Sequence, residues 1–369
     1  MQYTQQREDA LFASWTLDTS DDLYNEVIET LNSSFRSFGE GLVSKMEEKE
    51  GCNISDPIAY LKKKCNEVNI DLIEIGSLNT LKSWFNGGPR PKKSANSRRS
   101  IFAIAFALGL TVKETSELFH KVYLDRAFDY RVTFDVICYY CLSNKKNWQH
   151  AKQLESRISD TGGDEQTVYT NVLRCNLDVI NDDTVLLQFL ERHGHNLSQK
   201  SVTAKKRLDS LLLKASEVAG DDVRRSGKEE AFRGSDWTSK SFVYEVITEL
   251  SPSGERGTVS VFKNAALPKE IKSRFPEAAS FSKSDPTYEE IRKMIILIYS
   301  YIFWFNIETE KTSVELDDYI AEMNATLAEC GYPELYVGNP HDWLYMYCTL
   351  NERPLDTFRG ILAEVVDAG

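Results

Sequence analysis

Seven cations, Lys82, Arg90, Lys92, Lys93, Arg98, Arg99 and Lys113, fall between positions 75 and 113, and no Asp or Glu stands among them. The chain as a whole carries a formal charge of −12. A basic island in an acidic chain is a local electrostatic footprint for a polyanion. Short polar side chains accompany it: Ser77, Asn79, Thr80, Ser83 and Asn86. Such groups hydrogen-bond phosphates and base edges, and Lys82 adds a cation without an opposing carboxylate. A solvated basic loop would explain the charges, but not the absence of acids from a span flanked by them.

Other chemistry-bearing residues point to less. Cys138 and Cys141 have CxxC spacing, but no second pair or adjacent histidines complete a zinc site. They lie in an apolar run, so core thiols are expected. The seven cysteines are scattered and odd in number, as in a reduced, non-secreted protein. His193 and His195 read as part of a polar loop. Asp342, next to His341, is expected to favour the positive end of a helix rather than to act as half of an acid/base pair. Glu289, Glu290, Arg292 and Lys293 are expected on a solvated first helical turn. Phosphate-loop, dinucleotide, HExxH and GxSxG motifs are absent. No catalytic residue, metal ligand or cofactor is expected.

The elements that must position the basic island are helices. Ser77 is a good N-cap for a helix over 78–85, with Leu78, Leu81, Trp84 and Phe85 at helical spacing and Gly87-Gly88-Pro89 ending it. Apolar helices separated at Gly109 follow. Upstream, apolar positions from Leu23 to Leu42 predict an amphipathic helix over 20–45, with a charged break at 46–51. Asp56-Pro57 opens another helix. Downstream, 127–142 reads as a buried bracing helix flanked by Arg126 and Arg131, and 159–164 as a loop. Helical patterns continue over 166–181, 184–192 and 198–219. The last is basic, with Lys200, Lys205, Lys206, Arg207 and Lys214, and its leucines 208, 211, 212 and 213 are expected inward. It is a second possible polyanion surface or simply a solvated face. The charged stretch 220–235 reads as a mobile linker. Helices are then expected over 288–305, 315–330, 343–350 and 354–366, with a short strand-like run at 258–262.

The Ser77 cap, Thr80-Leu81 and Trp84, Asn86-Gly87, the basic Pro-containing loop 89–93 and the run 105–111 (Ala-Phe-Ala-Leu-Gly-Leu-Thr) together resemble the Cro/C1 (Xre) helix-turn-helix family of bacterial and phage DNA-binding proteins. The resemblance covers about 56–124. It implies that Asn79 and Ser83 read base edges with Leu78 beside them. It implies phosphate contacts for Lys82, Asn86, Arg90, Lys92 and Lys93. Ser77, Thr80, Arg98 and Arg99 complete the expected DNA-binding set. Two departures stand out: the segment before the turn, 69–76, is short and carries Asp71 and Glu74, and the loop 89–100 is long.

The expected fold is mainly α: a helix-turn-helix domain preceded by an N-terminal helix and followed by a larger helical domain with at most a short strand pair. The expected divisions are 1–50 (arm and amphipathic helix), 51–158 (helix-turn-helix with bracing helix), 159–235 (connector and linker) and 236–369 (C-terminal domain). At 41% hydrophobic and 27% charged residues the chain has a globular composition, and its most apolar run, 294–305, is too short to span a bilayer. A cytoplasmic, sequence-specific DNA-binding regulator follows, of bacterial or mobile-element origin. Homodimerisation on paired half-sites and a C-terminal ligand, partner or self-association function belong to that expectation. Two other readings stand beside it. One is an interaction protein of a defence or toxin–antitoxin assembly with a structural helix-turn-helix. The other is a nucleic-acid-processing enzyme.

Overall fold

The computed structural model describes residues 35–158, 170–198, 202–230, 288–310 and 316–367, together with positions 27, 30, 31, 232, 233, 243, 246, 247 and 286. Regular structure among these residues is helical throughout. The expected strand-like run 258–262, the loop 159–164 and the polar N-terminal residues 1–20 lie outside them. The chain packs as two units. One is contiguous, residues 36–201, and the other combines 1–35 with 202–369.

The contiguous unit begins with α1 (Phe38–Glu50). Ser37 starts it through a capping box: its Oγ accepts from the Glu40 amide at 3.2 Å, and the Glu40 carboxylate accepts from the Ser37 amide at 2.8 Å. The helix expected over 20–45 is therefore broken at 35–37, and α1 runs on through the supposed charged break to Gly51. Phe38, Leu42 and Met46, four apart, are buried. Next come α2 (Pro57–Glu67), α3 (Leu72–Ile75) and α4 (Leu78–Phe85). Helix α5 (Ala95–Ala107) is the centre of the unit, with Ile101 to Ala107 all buried.

Past Gly109, α6 (Val112–Glu117) passes directly into a π-helical turn, Leu118–Tyr123, which Leu124 ends in the left-handed region at φ +59°. The bracing helix is shorter than expected. It is α7 (Thr133–Ser143), because residues 125–131 spend their backbone groups otherwise. Arg98 donates to the carbonyls of Arg126 and Ala127 at 3.0 Å each. The Asp129 amide donates to Asp135 at 2.9 Å, and the Arg131 amide to Asp129 at 3.0 Å.

Helices α8 (Trp148–Ser156), α9 (Thr170–Leu177) and α10 (Asp183–Ser198) complete the unit. His193, expected in a loop, lies within α10, its ring 4.7 Å from Phe189. The apolar face of Leu186, Phe189 and Leu190 keeps this stretch helical. Asp183 at the head of α10 accepts from Tyr140 at 2.6 Å and pairs with Lys146 at 3.0 Å and His150 at 2.9 Å. Burial alone would raise its carboxyl pKa, but these bonds bring it down to about 2.

The second unit is built on α11 (Val202–Arg225) lying against α12 (Tyr288–Glu310), with α13 (Leu316–Glu329), α14 (Pro340–Thr349) and α15 (Pro354–Asp367) around α12. The linker expected from residue 220 begins instead as helix. Asp222 and Val223 are buried, and Asp222 receives Tyr301 Oη at 3.0 Å and Arg359 Nη2 at 2.6 Å. Charged residues persist in this helix because folding supplies their partners. Leu213 points outward rather than inward, 64% exposed. Trp304 sits at the centre, 5.9 Å from the Tyr345 ring and 5.5 Å from Phe358, with its Nε1 donating to Thr349 at 2.9 Å.

Arg292 requires a correction. It does not belong to a solvated first turn. It is buried and donates to both oxygens of Asp342 at 2.8 Å. Asp342, expected merely to complement a helix terminus, is the counter-charge of that guanidinium, and its Oδ2 also accepts from the Tyr336 amide at 3.1 Å.

Candidate nucleic-acid interface

Helix α4 is short, so its placement depends on its ends. At the start the Ser77 hydroxyl accepts from the Thr80 amide at 3.2 Å and meets the Thr80 hydroxyl at 2.9 Å. A cap of this kind is worth about 1 kcal/mol. At the end Gly87 adopts φ +76°, and the amides of Gly87 and Gly88 return to the carbonyls of Trp84 and Ser83 at 3.3 and 2.7 Å. That is a Schellman closure, and the left-handed position suits glycine.

Leu81 and Trp84 bury one side of α4, with Trp84 edge-on to Phe38 at 4.9 Å. Helix α1 approaches so closely that a Cβ at Gly39 would stand 2.0 Å from the Trp84 carbonyl oxygen. Only glycine at position 39 lets α1 seat against the end of α4.

The other side faces solvent. Leu78, Asn79, Lys82, Ser83 and Asn86 are exposed, while Ser77 and Thr80 are engaged in the cap. The acids of the preceding segment are turned to structural work. Asp71 caps α3 through the Ile73 amide at 3.0 Å. Glu74 accepts from Trp148 Nε1 at 2.7 Å and from Lys152 at 3.1 Å. Helix α3 is a single turn, held from beneath by α8 through Glu74 and by α5, where the Ser100 hydroxyl donates to the Glu74 carbonyl at 3.2 Å.

The expected cations divide into two sets. Lys82, Lys92 and Lys93 are exposed. The three arginines are engaged within the fold, and for Arg98 the expected nucleic-acid contact is corrected outright. Its guanidinium binds Asp125 at 2.9 Å and Asp135, two carboxylates that are themselves buried. It also lies over the Phe119 ring at 5.0 Å. Burial would lower its pKa, yet the charges of Asp135 and Asp125 outweigh that and raise it. Arg99 pairs with Glu155 at 2.7 Å and stacks on Phe134 at 3.8 Å. Arg90 donates to the carbonyls of Val122 and, at 2.9 Å, Arg36. It pins the loop rather than projecting from it.

Tyr123 is a residue the sequence reading missed. Its hydroxyl donates to the Lys92 carbonyl at 2.9 Å, so the π-helical turn holds the loop at two points, Arg90 and Lys92. Thirty-one positions separate the pair, and nothing local in the sequence marks it. If Lys92 meets phosphate, Tyr123→Phe should weaken binding to short DNA duplexes severalfold while leaving the melting temperature within a few degrees of wild type. Unchanged affinity would mean that the loop needs no such anchor.

Cys138 and Cys141 are buried free thiols, whereas Cys52 and Cys175 are exposed rather than in the core. Among the described residues no group of three His, Cys, Asp or Glu side chains is arranged to hold a metal, and no helix is long and apolar enough to cross a membrane. On α11, Lys205, Lys206 and Lys214 are exposed, while Arg207 bonds Thr326 at 3.3 Å and pairs with Glu329 at 3.7 Å. Lys200 lies outside the described residues. No protein-family model, curated protein or solved structure matches the chain.

Proposed function

We propose that this chain is a sequence-specific DNA-binding protein that uses α4 as its reading helix and the pinned loop 86–94 as its backbone contact. The observation that carries the reading is the solvent face of α4: Asn79, Lys82, Ser83 and Asn86 exposed together, with no carboxylate between positions 75 and 113. Lysines on such a face release counterions from phosphates, and amide side chains there match base edges in a major groove. A regulator of transcription acting as a homodimer on paired half-sites fits this use of a short helix. The unit built on α11 and α12 would then bind a ligand, a partner or a second copy.

The test is fluorescence anisotropy with short duplexes across a salt series. The Lys82→Ala/Lys92→Ala/Lys93→Ala variant should bind all sequences more weakly. Its salt slope should fall by roughly one unit per lysine that meets a phosphate. Folded wild-type protein that binds no duplex at low salt would overturn the proposal. The one-turn α3 favours a second reading in that case, with α2 to α5 a packing module for a protein assembly.

A further inference from the structure

Leu78 opens α4 with 57% of its surface exposed, and Ile73 on α3, just across the Gly76 turn, is 64% exposed. Single exposed aliphatics are ordinary on protein surfaces. These two flank one turn: Leu78 has Asn79 and Lys82 beside it in α4, while Ile73 stands between Asp71, which caps α3, and Glu74, which is paired with Lys152. The α4 part of this surface is thus apolar at Leu78 and cationic at Lys82, which matches a polyanion that also presents methyl groups. Ser83 is placed differently: a Cβ at Gly88 would fall 2.3 Å from its Oγ, so its hydroxyl lies against the closing turn. Base reading therefore falls to the first turn of α4, where Leu78 and Asn79 stand.

We infer that Leu78 seats against the 5-methyl group of thymine in the major groove, so that the preferred duplex carries an A·T pair beneath the first turn of α4. This rests on the DNA-binding reading above. The thymine methyl is the apolar feature of the major-groove edge, and an adjacent Asn is suited to adenine N6 and N7. Lys82, one turn along, supplies the phosphate contact that fixes the helix over that pair.

The experiment starts from randomised duplexes retained by the wild-type protein. Enriched sequences are then synthesised with thymine or with uracil, which lacks only the methyl group. Wild type should bind the uracil form about fourfold more weakly, the worth of one buried methyl. Leu78→Ala, a change at an exposed position that leaves the fold intact, should bind both forms alike with the wild-type salt slope. Equal affinity of wild type for both forms, or discrimination that survives in Leu78→Ala, overturns the assignment while DNA binding stands. If the folded protein retains no duplex at low salt, the DNA-binding reading falls, and the assignment with it.

Discussion

Replacing Arg98 with methionine should destabilise the 36–201 unit by about 3–5 kcal/mol, the usual cost of removing one partner from a buried charge network. The methionine keeps an apolar stem but lacks the guanidinium that lies over the Phe102 and Phe119 rings. What it removes is the positive charge between Asp125 and Asp135, which are 5% and 2% exposed. Left together in a low-dielectric pocket, those carboxylates repel each other and keep only backbone donors, the amides of Arg126 for Asp125 and of Asp129 for Asp135. The carbonyls of Arg126 and Ala127 lose the Arg98 donor as well. The non-helical stretch between the π-helical turn and α7 should open first. Amide hydrogen exchange over Phe119–Phe134 is the suitable readout, because a single denaturation curve would blend two units. A companion variant, Arg98→Met with Asp125→Asn and Asp135→Asn, should recover part of the loss by removing the stranded charges. A loss below about 1 kcal/mol for Arg98→Met would contradict the network as the support of this region. A residue whose work was phosphate contact would show the opposite pattern: stability intact and DNA affinity reduced.

Arg98 and Lys82 also show how far a sequence can be read. Both belong to the same acid-free span, and by composition they are equivalent. The cap, the Leu81–Trp84 spacing and the glycine pair that define α4 are all local, so its bounds and its exposed face were legible residue by residue. The fate of a cation depends on which acids fold back upon it. For Arg98 those lie 27 and 37 positions away, and for Arg99 Glu155 lies 56 away. No periodicity encodes such a pairing.

The same reason separates the other failures from the successes. Helix α12 was evident from an apolar run, while the charged end of α11 looked like a linker because Arg359, its partner, is 137 positions from Asp222. The break before α1 was legible in the Ser37-to-Glu40 box, which the longer apolar pattern obscured. The close approach of Gly39 to Trp84 was not, since a glycine in a helix carries no mark of what lies against it.

Asp342→Asn should cost the other unit a comparable amount, about 3–5 kcal/mol, and should change its response to acid. Asp342 is fully buried and Arg292 is 4% exposed. The substitution preserves shape but leaves the guanidinium without its counter-charge at the junction of α12 and α14. In the native protein, burial would raise the Asp342 carboxyl pKa, but the charge and hydrogen bonds of Arg292, aided by His341, hold it well below its ordinary 3.8. The unfolded chain therefore takes up a proton first as the medium is acidified. The stability contributed by the pair is complete above the ordinary carboxylate range and is lost as pH falls through that range toward the lower folded value. Wild type should accordingly lose stability steeply below roughly pH 4, whereas Asp342→Asn, already weakened at neutral pH, should show a shallower acid limb. Hydrogen exchange in α12 and α14 across a pH series reads this directly. Parallel acid limbs in the two proteins would mean that the proton uptake governing this unit occurs elsewhere. A paired Arg292→Met/Asp342→Leu variant separates charge from packing: it should regain much of the loss, because an apolar pair of similar volume leaves no buried charge unmatched.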